Sequence, residues 1–278
     1  MRTRLISAGV GLVIVFTVLW LHTTIVLPAA VGAIIGIMLF EMLRAVKMEK
    51  CLPVLLAVEA AGVSLPVLVW LGQEKFSFLI DMAAVFVVFL TWLRRHKDIK
   101  YDQIMFSLAS MMLIPQSMAC LVRLDKLTGG ESVLPLVLGL GGAWIADSAA
   151  YFTGVALGKH KLCPEISPKK TIEGFVGGIV VTGIVFVAII VVHEIMFPDT
   201  IQLHQNKVIV YAGFCLIGMV SAAVGTLGDL SASMIKRQIG FKDYGNIMPG
   251  HGGMMDRFDS VLFVAPAFYA LLELITIK

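Results

Sequence analysis

Apolar residues recur along the whole chain in runs of about 17 to 25, and a helix needs ~20 residues to cross the hydrocarbon layer of a bilayer. Backbone in lipid has no water to bond, so segments of this kind must close their own hydrogen bonds as helices. The windows fall at about 5–21, 24–42, 52–72, 77–93, 104–122, 133–157, 174–192, 207–229 and 259–277. The expected fold class is therefore all-α, a polytopic integral membrane bundle of about nine transmembrane helices. The first two windows are separated only by Leu21-His22-Thr23-Thr24, and Pro28 softens that boundary, so eight or ten crossings stay open. The N-terminal run follows MRTR like the hydrophobic region of a signal peptide, yet no small-residue cleavage site follows it, and it is read as a retained first span.

Only 15% of the residues are charged and the net charge is +3, with no basic block interleaved with aromatics. A nucleic-acid partner is set aside on that ground. Cys51, Cys120, Cys163 and Cys215 are too scattered for a zinc site or a disulfide framework and are read as packing residues. With nine spans and the N-terminus in the cytoplasm, only Lys75, Arg123, Lys126, Lys207 and Lys278 of the 22 Lys/Arg fall outside. The positive-inside rule favours that orientation. Residues 1–130 then form spans one to five with short loops. Residues 131–278 form spans six to nine, whose two long polar loops, 158–173 and 230–258, are both expected to face the cytoplasm, and chemistry is to be sought there.

The densest polar stretch, 229–259, holds Asp229, Lys236, Arg237, Lys242, Asp243, His251, Asp256, Arg257 and Asp259. Each charge at membrane depth costs ~2.5–3.5 kcal/mol on insertion scales, so such groups pair, face water or bind ligand. Asp256 and Asp259 are three apart, a spacing that predicts one face of a helix opening the last span, where two carboxylates repel unless a cation lies between them. With Asp229 they offer three hard oxygen ligands of the kind Mg²⁺ takes alongside water and phosphate. Gly250, Gly252 and Gly253 can bring backbone N–H groups close to an anion, and Lys236, Arg237, Lys242 and Arg257 can neutralise phosphate oxygens. Carboxylates for a metal plus cations for phosphate is a layout for phosphoryl or nucleotidyl transfer. A solvated loop whose acids and bases pair with one another would contain the same residues. His251 suits a general base or, as preferred here, a hydrogen-bond donor to phosphate.

The second polar segment runs from Trp144 to Gly174. Asp147 lies inside the sixth span among Ala143, Ala146, Ser148, Ala149, Ala150 and Gly154, small residues that allow a helix or ligand to approach. Ser167-Pro168-Lys169-Lys170-Thr171, with Glu173 following, suits a phosphate, although Lys169 and Lys170 alone equally suit an anchor flanking a span. Gly154 to Lys159 imitates a Walker loop but is one residue short between its glycines, and His160 stands where Ser or Thr is needed. Glu59, Asp81 and Glu273, also within apolar runs, are read as pairing with neighbouring helices.

The spacing Ser233-x-Ile235-Lys236-Arg237, four residues, Lys242-Asp243-x-Gly245, then Pro249-x-His251-Gly252-Gly253 and Asp256-Arg257-x-Asp259 resembles the signature of phosphatidate cytidylyltransferases, also called CDP-diacylglycerol synthases. Asp147, Tyr151, Gly154, Gly158, Lys159, the Ser167–Thr171 run and Glu173-Gly174 are similar to the family's other polar segment. These motifs cover roughly 145–260, and residues 1–130 carry none of their own. The resemblance implies an enzyme that joins CTP to phosphatidate, releasing pyrophosphate and leaving CDP-diacylglycerol for phospholipid synthesis. It implies Mg²⁺, with a second cation open, and a homodimer in the bacterial inner (plasma) membrane. Asp229 and Asp256 map onto the family's metal site, with Asp259 close by. Asp229, Asp256, Lys236, Arg237 and His251 are then the catalytic candidates. Asp147, Ser167, Lys169, Lys170, Thr171, Lys242, Asp243, Gly252, Gly253 and Arg257 are the substrate-binding candidates.

Two other functions fit the composition. CTP-dependent kinases of polyprenols and similar lipid alcohols share the layout but transfer the γ-phosphoryl group. An ion-coupled transporter would use the same intramembrane acids, but the two halves show no repeat of the kind many transporters carry.

Overall fold

The computed structural model describes residues 2–197, 207–245 and 252–276. Each of the nine apolar windows coincides with one helix: α1 (Arg2–Trp20), α2 (Val26–Ala45), α3 (Leu52–Trp70), α4 (Ser77–Arg94), α5 (Tyr101–Leu127), α6 (Leu134–Leu157), α7 (Ile172–Met196), α8 (Lys207–Ile239) and α10 (Val261–Thr276). A one-turn helix, α9 (Met255–Phe258), and two short strands, β1 (Lys161–Cys163) and β2 (Ser167–Thr171), complete the described elements apart from a 3₁₀ turn at Glu74–Phe76. The chain is an all-α polytopic membrane protein. Among the described residues seven helices, α2 to α8, are long and apolar enough to cross a membrane. The 16 residues of α10 reach only ~24 Å at ~1.5 Å per residue.

The chain divides into two compact units, one of Met1–Gly130 with Lys236–Phe258, the other of Glu131–Ile235 with Asp259–Lys278. In the first, α3 packs on α2 and α5 where Gly62 removes a side chain. A Cβ there would lie 2.3 Å from Leu39 and 3.1 Å from both Ile35 and Pro115. Ile35, Met38, Leu39, Val58 and Met118 are fully buried around this contact. One end of the unit is closed by polar bonds: His22 Nδ1 lies 2.5 Å from Asp125 Oδ1, Lys126 donates to the Val69 carbonyl at 2.6 Å, and Arg123 pairs with Glu74 at 3.0 Å.

In the second unit α6 and α7 approach almost backbone to backbone. A Cβ at Gly174 would meet the Ala150 carbonyl at 2.7 Å, and one at Gly178 would meet the Ala146 carbonyl at 3.2 Å. Small residues allow this contact in lipid, where dispersion rather than water exclusion drives helix association. Phe186 and Phe268 form the core of the bundle, edge to face at 6.0 Å, and Gly142 and Gly218 each leave room for the Phe186 ring.

Three expectations about local structure are corrected. The polar stretch after 229 is not loop from its start, because α8 continues to Ile239. Its 33 residues span ~50 Å, well beyond the ~30 Å hydrocarbon thickness. The helix stops at Gly240, φ +83°, where Phe241 N–H donates to the Lys236 carbonyl at 2.9 Å in the manner of a left-handed C-terminal cap. Residues 158–173 are not plain loop either: β1 and β2 pair antiparallel. Asp256 and Asp259 do not share a helix face. Asp256 belongs to α9, and Asp259 lies beyond it with its Oδ1 accepting the Ser260 N–H at 2.7 Å, a side-chain bond that competes with helix continuation.

The four cysteines are free, with Cys51 and Cys120 buried. Glu273 accepts from Tyr269 of its own helix at 3.1 Å. Among the described residues Glu59 and Asp81 enter no ion pair.

Gly218→Val tests the close packing of α7 and α8. The new Cβ would lie 2.9 Å from the Phe186 ring and 3.0 Å from the Thr182 carbonyl, and overpacking of this kind costs ~1–3 kcal/mol. Thermal denaturation of the purified chain in detergent should show a lower midpoint. An unchanged midpoint would mean that the helices separate freely at this level.

Candidate active site

In the first unit the described part of the glycine-rich loop is organised by two carboxylates. Asp256 Oδ2 accepts the backbone N–H groups of Tyr244 at 2.9 Å and Gly253 at 3.0 Å. Its Oδ1 takes the Lys236 ammonium at 2.7 Å, and the two side chains are only 6% and 13% exposed. The same ammonium lies 5.5 Å from the centre of the Tyr244 ring, a cation–π contact that holds Lys236 without neutralising it. Gly252 adopts φ +85°, which L side chains rarely accept.

The second carboxylate is Glu41 of α2, buried at 1% exposure. Its Oε1 accepts Met254 N–H at 2.9 Å and its Oε2 accepts Met255 N–H at 2.8 Å. Gly245 and Gly253 pack directly on it, and a Cβ at either would come within 2.2 Å or 2.6 Å of a carboxylate oxygen. Glu41 thus fixes the segment that leads into Asp256, and the two glycines are required because no side chain fits beside the carboxylate. The sequence reading missed it. The signal was present, an acid between Phe40 and Met42 in an apolar run, but it lay near the edge of a window, where a charge looks ordinary.

In the second unit Lys170 on β2 places its ammonium 2.5 Å from Asp229 Oδ2, the two side chains being 24% and 26% exposed. Ser233, one turn further along α8, contacts Asp229 Oδ1 at 3.5 Å. Asp147, exposed on α6, accepts a hydrogen bond from Ser260 Oγ at 3.2 Å. The hairpin that carries Lys170 is tied at its base. Glu173 accepts the N–H groups of Lys159 at 3.0 Å and His160 at 3.2 Å, and His160 Nδ1 lies 2.6 Å from it. The Thr171 hydroxyl caps α7 by accepting from Gly174 N–H at 3.1 Å and sits where side chains at Gly154 and Gly158 would be.

Of the sequence-predicted residues, the first unit therefore brings together Lys236, Gly252, Gly253 and Asp256, with Asp243 3.6 Å from a Cβ built at Gly252. Within the second unit, Lys170 pairs with Asp229, and Asp147 bonds to Ser260, the residue after Asp259. Lys169, Lys242, Arg237 and Arg257 are exposed, and Ser167 is half-buried. Asp259 is buried at 7% exposure. His251 lies outside the described residues. Among the described residues no group of three His, Cys, Asp or Glu converges as a ready metal cage. The donor chemistry still suits a hard divalent cation. A carboxylate has about four lone-pair positions, and Asp256 Oδ1 and Asp229 Oδ1 each retain acceptor capacity beside the bonds described.

A family model described as the cytidylyltransferase family matches residues 2–275. The chain is 48% identical over 131 residues to a phosphatidate cytidylyltransferase of Bacillus subtilis (strain 168), covering 47% of this chain and 44% of that one. It is 44% identical over 129 residues to one of Staphylococcus epidermidis, with coverages of 46% and 45%. It is 42% identical over 125 residues to one of Haemophilus influenzae, with coverages of 45% and 41%. The chain spans about half the length of the curated relatives it matches.

Glu41→Gln tests the clamp. One of the two backbone N–H groups would face an amide donor instead of an acceptor, and loss of a hydrogen bond to a buried charge costs ~1.5–3 kcal/mol. Brief trypsin treatment in detergent should cut the variant after Lys242 faster than the parent. Equal cleavage rates would show that the loop is held without Glu41.

Proposed function

The chain belongs to the cytidylyltransferase family, and we propose that it transfers the cytidylyl group of CTP to phosphatidate, yielding CDP-diacylglycerol and pyrophosphate in phospholipid synthesis. The observation that carries this reading is the pair of lysine-matched carboxylates, Lys170–Asp229 in one unit and Lys236–Asp256 in the other. Ammonium groups held by carboxylates beside a glycine loop and a hairpin are a phosphate-handling set.

The phosphomonoester of phosphatidate is already a nucleophile, so no enzyme side chain needs to form a covalent intermediate. One of its oxygens attacks the α-phosphorus of CTP in line. The bond from that phosphorus to the β-bridging oxygen breaks, and its electron pair leaves with pyrophosphate. Lys236, held by Asp256, and Lys170, held by Asp229 in the other unit, are each a cation able to meet charge on phosphate oxygens. Asp256 orients Lys236 through one oxygen while its other oxygen is fixed by backbone N–H groups. Exposed Lys169, Arg237, Lys242 and Arg257 draw the triphosphate in. Asp229 and Asp256 are the carboxylates assigned to Mg²⁺, with Asp259 three residues after Asp256, and a bound Mg²⁺ would neutralise phosphate oxygens. CTP is cytosolic, so the reading includes both polar segments on the cytoplasmic side of a bacterial plasma membrane, and a homodimer as the working form.

Asp256→Asn is the decisive variant. The amide oxygen can still accept the Tyr244 and Gly253 N–H groups, so the loop should keep its shape while Lys236 loses its counter-charge. Turnover should fall by at least ~100-fold, the scale of removing one preorganised electrostatic group. Near-parental turnover at low Mg²⁺ would sink the assignment. The reaction itself is read with purified chain, phosphatidate and CTP labelled either in cytosine or at the γ-phosphate. Cytosine label in lipid supports cytidylyl transfer, whereas γ-label transferred to a lipid alcohol would replace this reading with the kinase.

A further inference from the structure

We propose that the turn between α4 and α5 is a binding site for the phosphate headgroup of an anionic phospholipid, separate from the reaction described above. A cavity of about 450 Å³ opens at this turn, lined by Trp92, His96, Lys97, Ile99, Lys100 and Tyr101. It joins the ends of two helices long and apolar enough to span a bilayer, Glu74–Arg94 and Tyr101–Leu127. The cavity therefore lies at headgroup level, where Trp and Tyr settle and where juxtamembrane Lys/Arg clusters attract anionic lipids.

Its walls are fixed before any ligand arrives. The Trp92 indole N–H donates to the Ile99 carbonyl at 3.1 Å, and the indole is flanked by Phe89 and Tyr101, each 6.0 Å away between ring centres. Gln103 accepts the Lys100 N–H at 3.0 Å and donates to the Val46 carbonyl at 2.7 Å, tying the turn to the end of α2. Ile99 is buried beneath it. The charges, by contrast, are uncommitted. Arg94, Arg95, Lys97 and Lys100 stand against Asp98 and Asp102, and among the described residues none of the six enters an ion pair. A phosphate in the cavity meets the two ammonium groups that line it, those of Lys97 and Lys100. Leu93 and Tyr101, 70% and 66% exposed beside the cavity, provide an apolar rim for the glycerol and the first methylenes of the acyl chains. A zwitterionic headgroup brings its own cation into this field and gains less.

The source can be a phosphodiester lipid such as phosphatidylglycerol or a phosphomonoester such as phosphatidate, and the test separates them. The full chain carries four tryptophans, so Trp20→Phe, Trp70→Phe and Trp144→Phe leave Trp92 as the only indole. This protein is placed in phosphatidylcholine vesicles containing a small equal fraction of brominated phosphatidylcholine, phosphatidylglycerol or phosphatidate, and Trp92 quenching is compared. Both anionic lipids should quench about threefold more than the zwitterionic one, and the excess should vanish in ~0.5 M salt. A larger effect of phosphatidate would narrow the site to phosphomonoesters. Lys97→Gln with Lys100→Gln should abolish the excess, whereas Lys50→Gln on another loop should leave it intact. Equal quenching by all three lipids, or an excess that survives either high salt or the double substitution, would overturn the proposal and return these residues to an ordinary interfacial belt.

Discussion

Carboxylates and ammonium groups beside apolar helices are costly unless matched, and matching orders the two polar segments of the molecule. Hydrocarbon penalises an unpaired ion heavily, yet the function proposed above requires the chain to display cations. The observed solution is to set lysines against carboxylates: Lys236 on Asp256 at 2.7 Å and Lys170 on Asp229 at 2.5 Å. In each pair the carboxylate fixes where the ammonium group stands. The solvated-loop alternative and the phosphate-binding reading are thereby less opposed than they look from the sequence. The acids and bases do pair, and the pairing is what holds the cations in position.

Rigid backbone carries those pairs. Lys170 sits on a hairpin whose base is tied by Glu173 to the Lys159 and His160 N–H groups, and the following helix is capped by Thr171. Lys236 sits in the last turns of α8, just before a glycine cap. Asp256 and Glu41 together bind four backbone N–H groups of the loop, those of Tyr244, Gly253, Met254 and Met255. Glycines recur at these contacts because the backbone must come within bonding distance of a carboxylate or of another helix. At Gly245 and Gly253 the neighbour is Glu41; at Gly174 and Gly178 it is the backbone of α6.

The helices were legible because lipid imposes a length and a composition on any spanning segment, and nine windows became nine helices with ends shifted by a few residues. The polar segments were legible in residue type and not in shape. Periodicity fails where a helix leaves the apolar layer, so the extension of α8 from 230 to Ile239 read as loop. A spacing of three suggested one helix face for Asp256 and Asp259, but spacing carries no information about a side-chain bond such as that from Ser260 N–H to Asp259, which interrupts the helix. Glu41 was visible as an acid in an apolar run, but what it holds was not legible, for a different reason. Its partners are more than 200 positions away, and backbone N–H groups, which every residue but proline offers, leave no mark in a sequence.

The two matched carboxylates also differ in a way that bears on how each can work. Asp256 is nearly buried, and one of its oxygens is immobilised by two backbone N–H groups. Rotation of the carboxylate is thereby denied, and its direction is set by the loop. Asp229 is a quarter exposed and held by side chains alone, Lys170 and a long contact from Ser233. Side-chain partners can turn and separate at the cost of a surface-like ion pair, whereas the Asp256 arrangement cannot loosen without opening the loop that Glu41 clamps. Of the two, Asp256 is held in one direction by backbone, and Asp229 keeps the freedom to turn that side-chain partners allow.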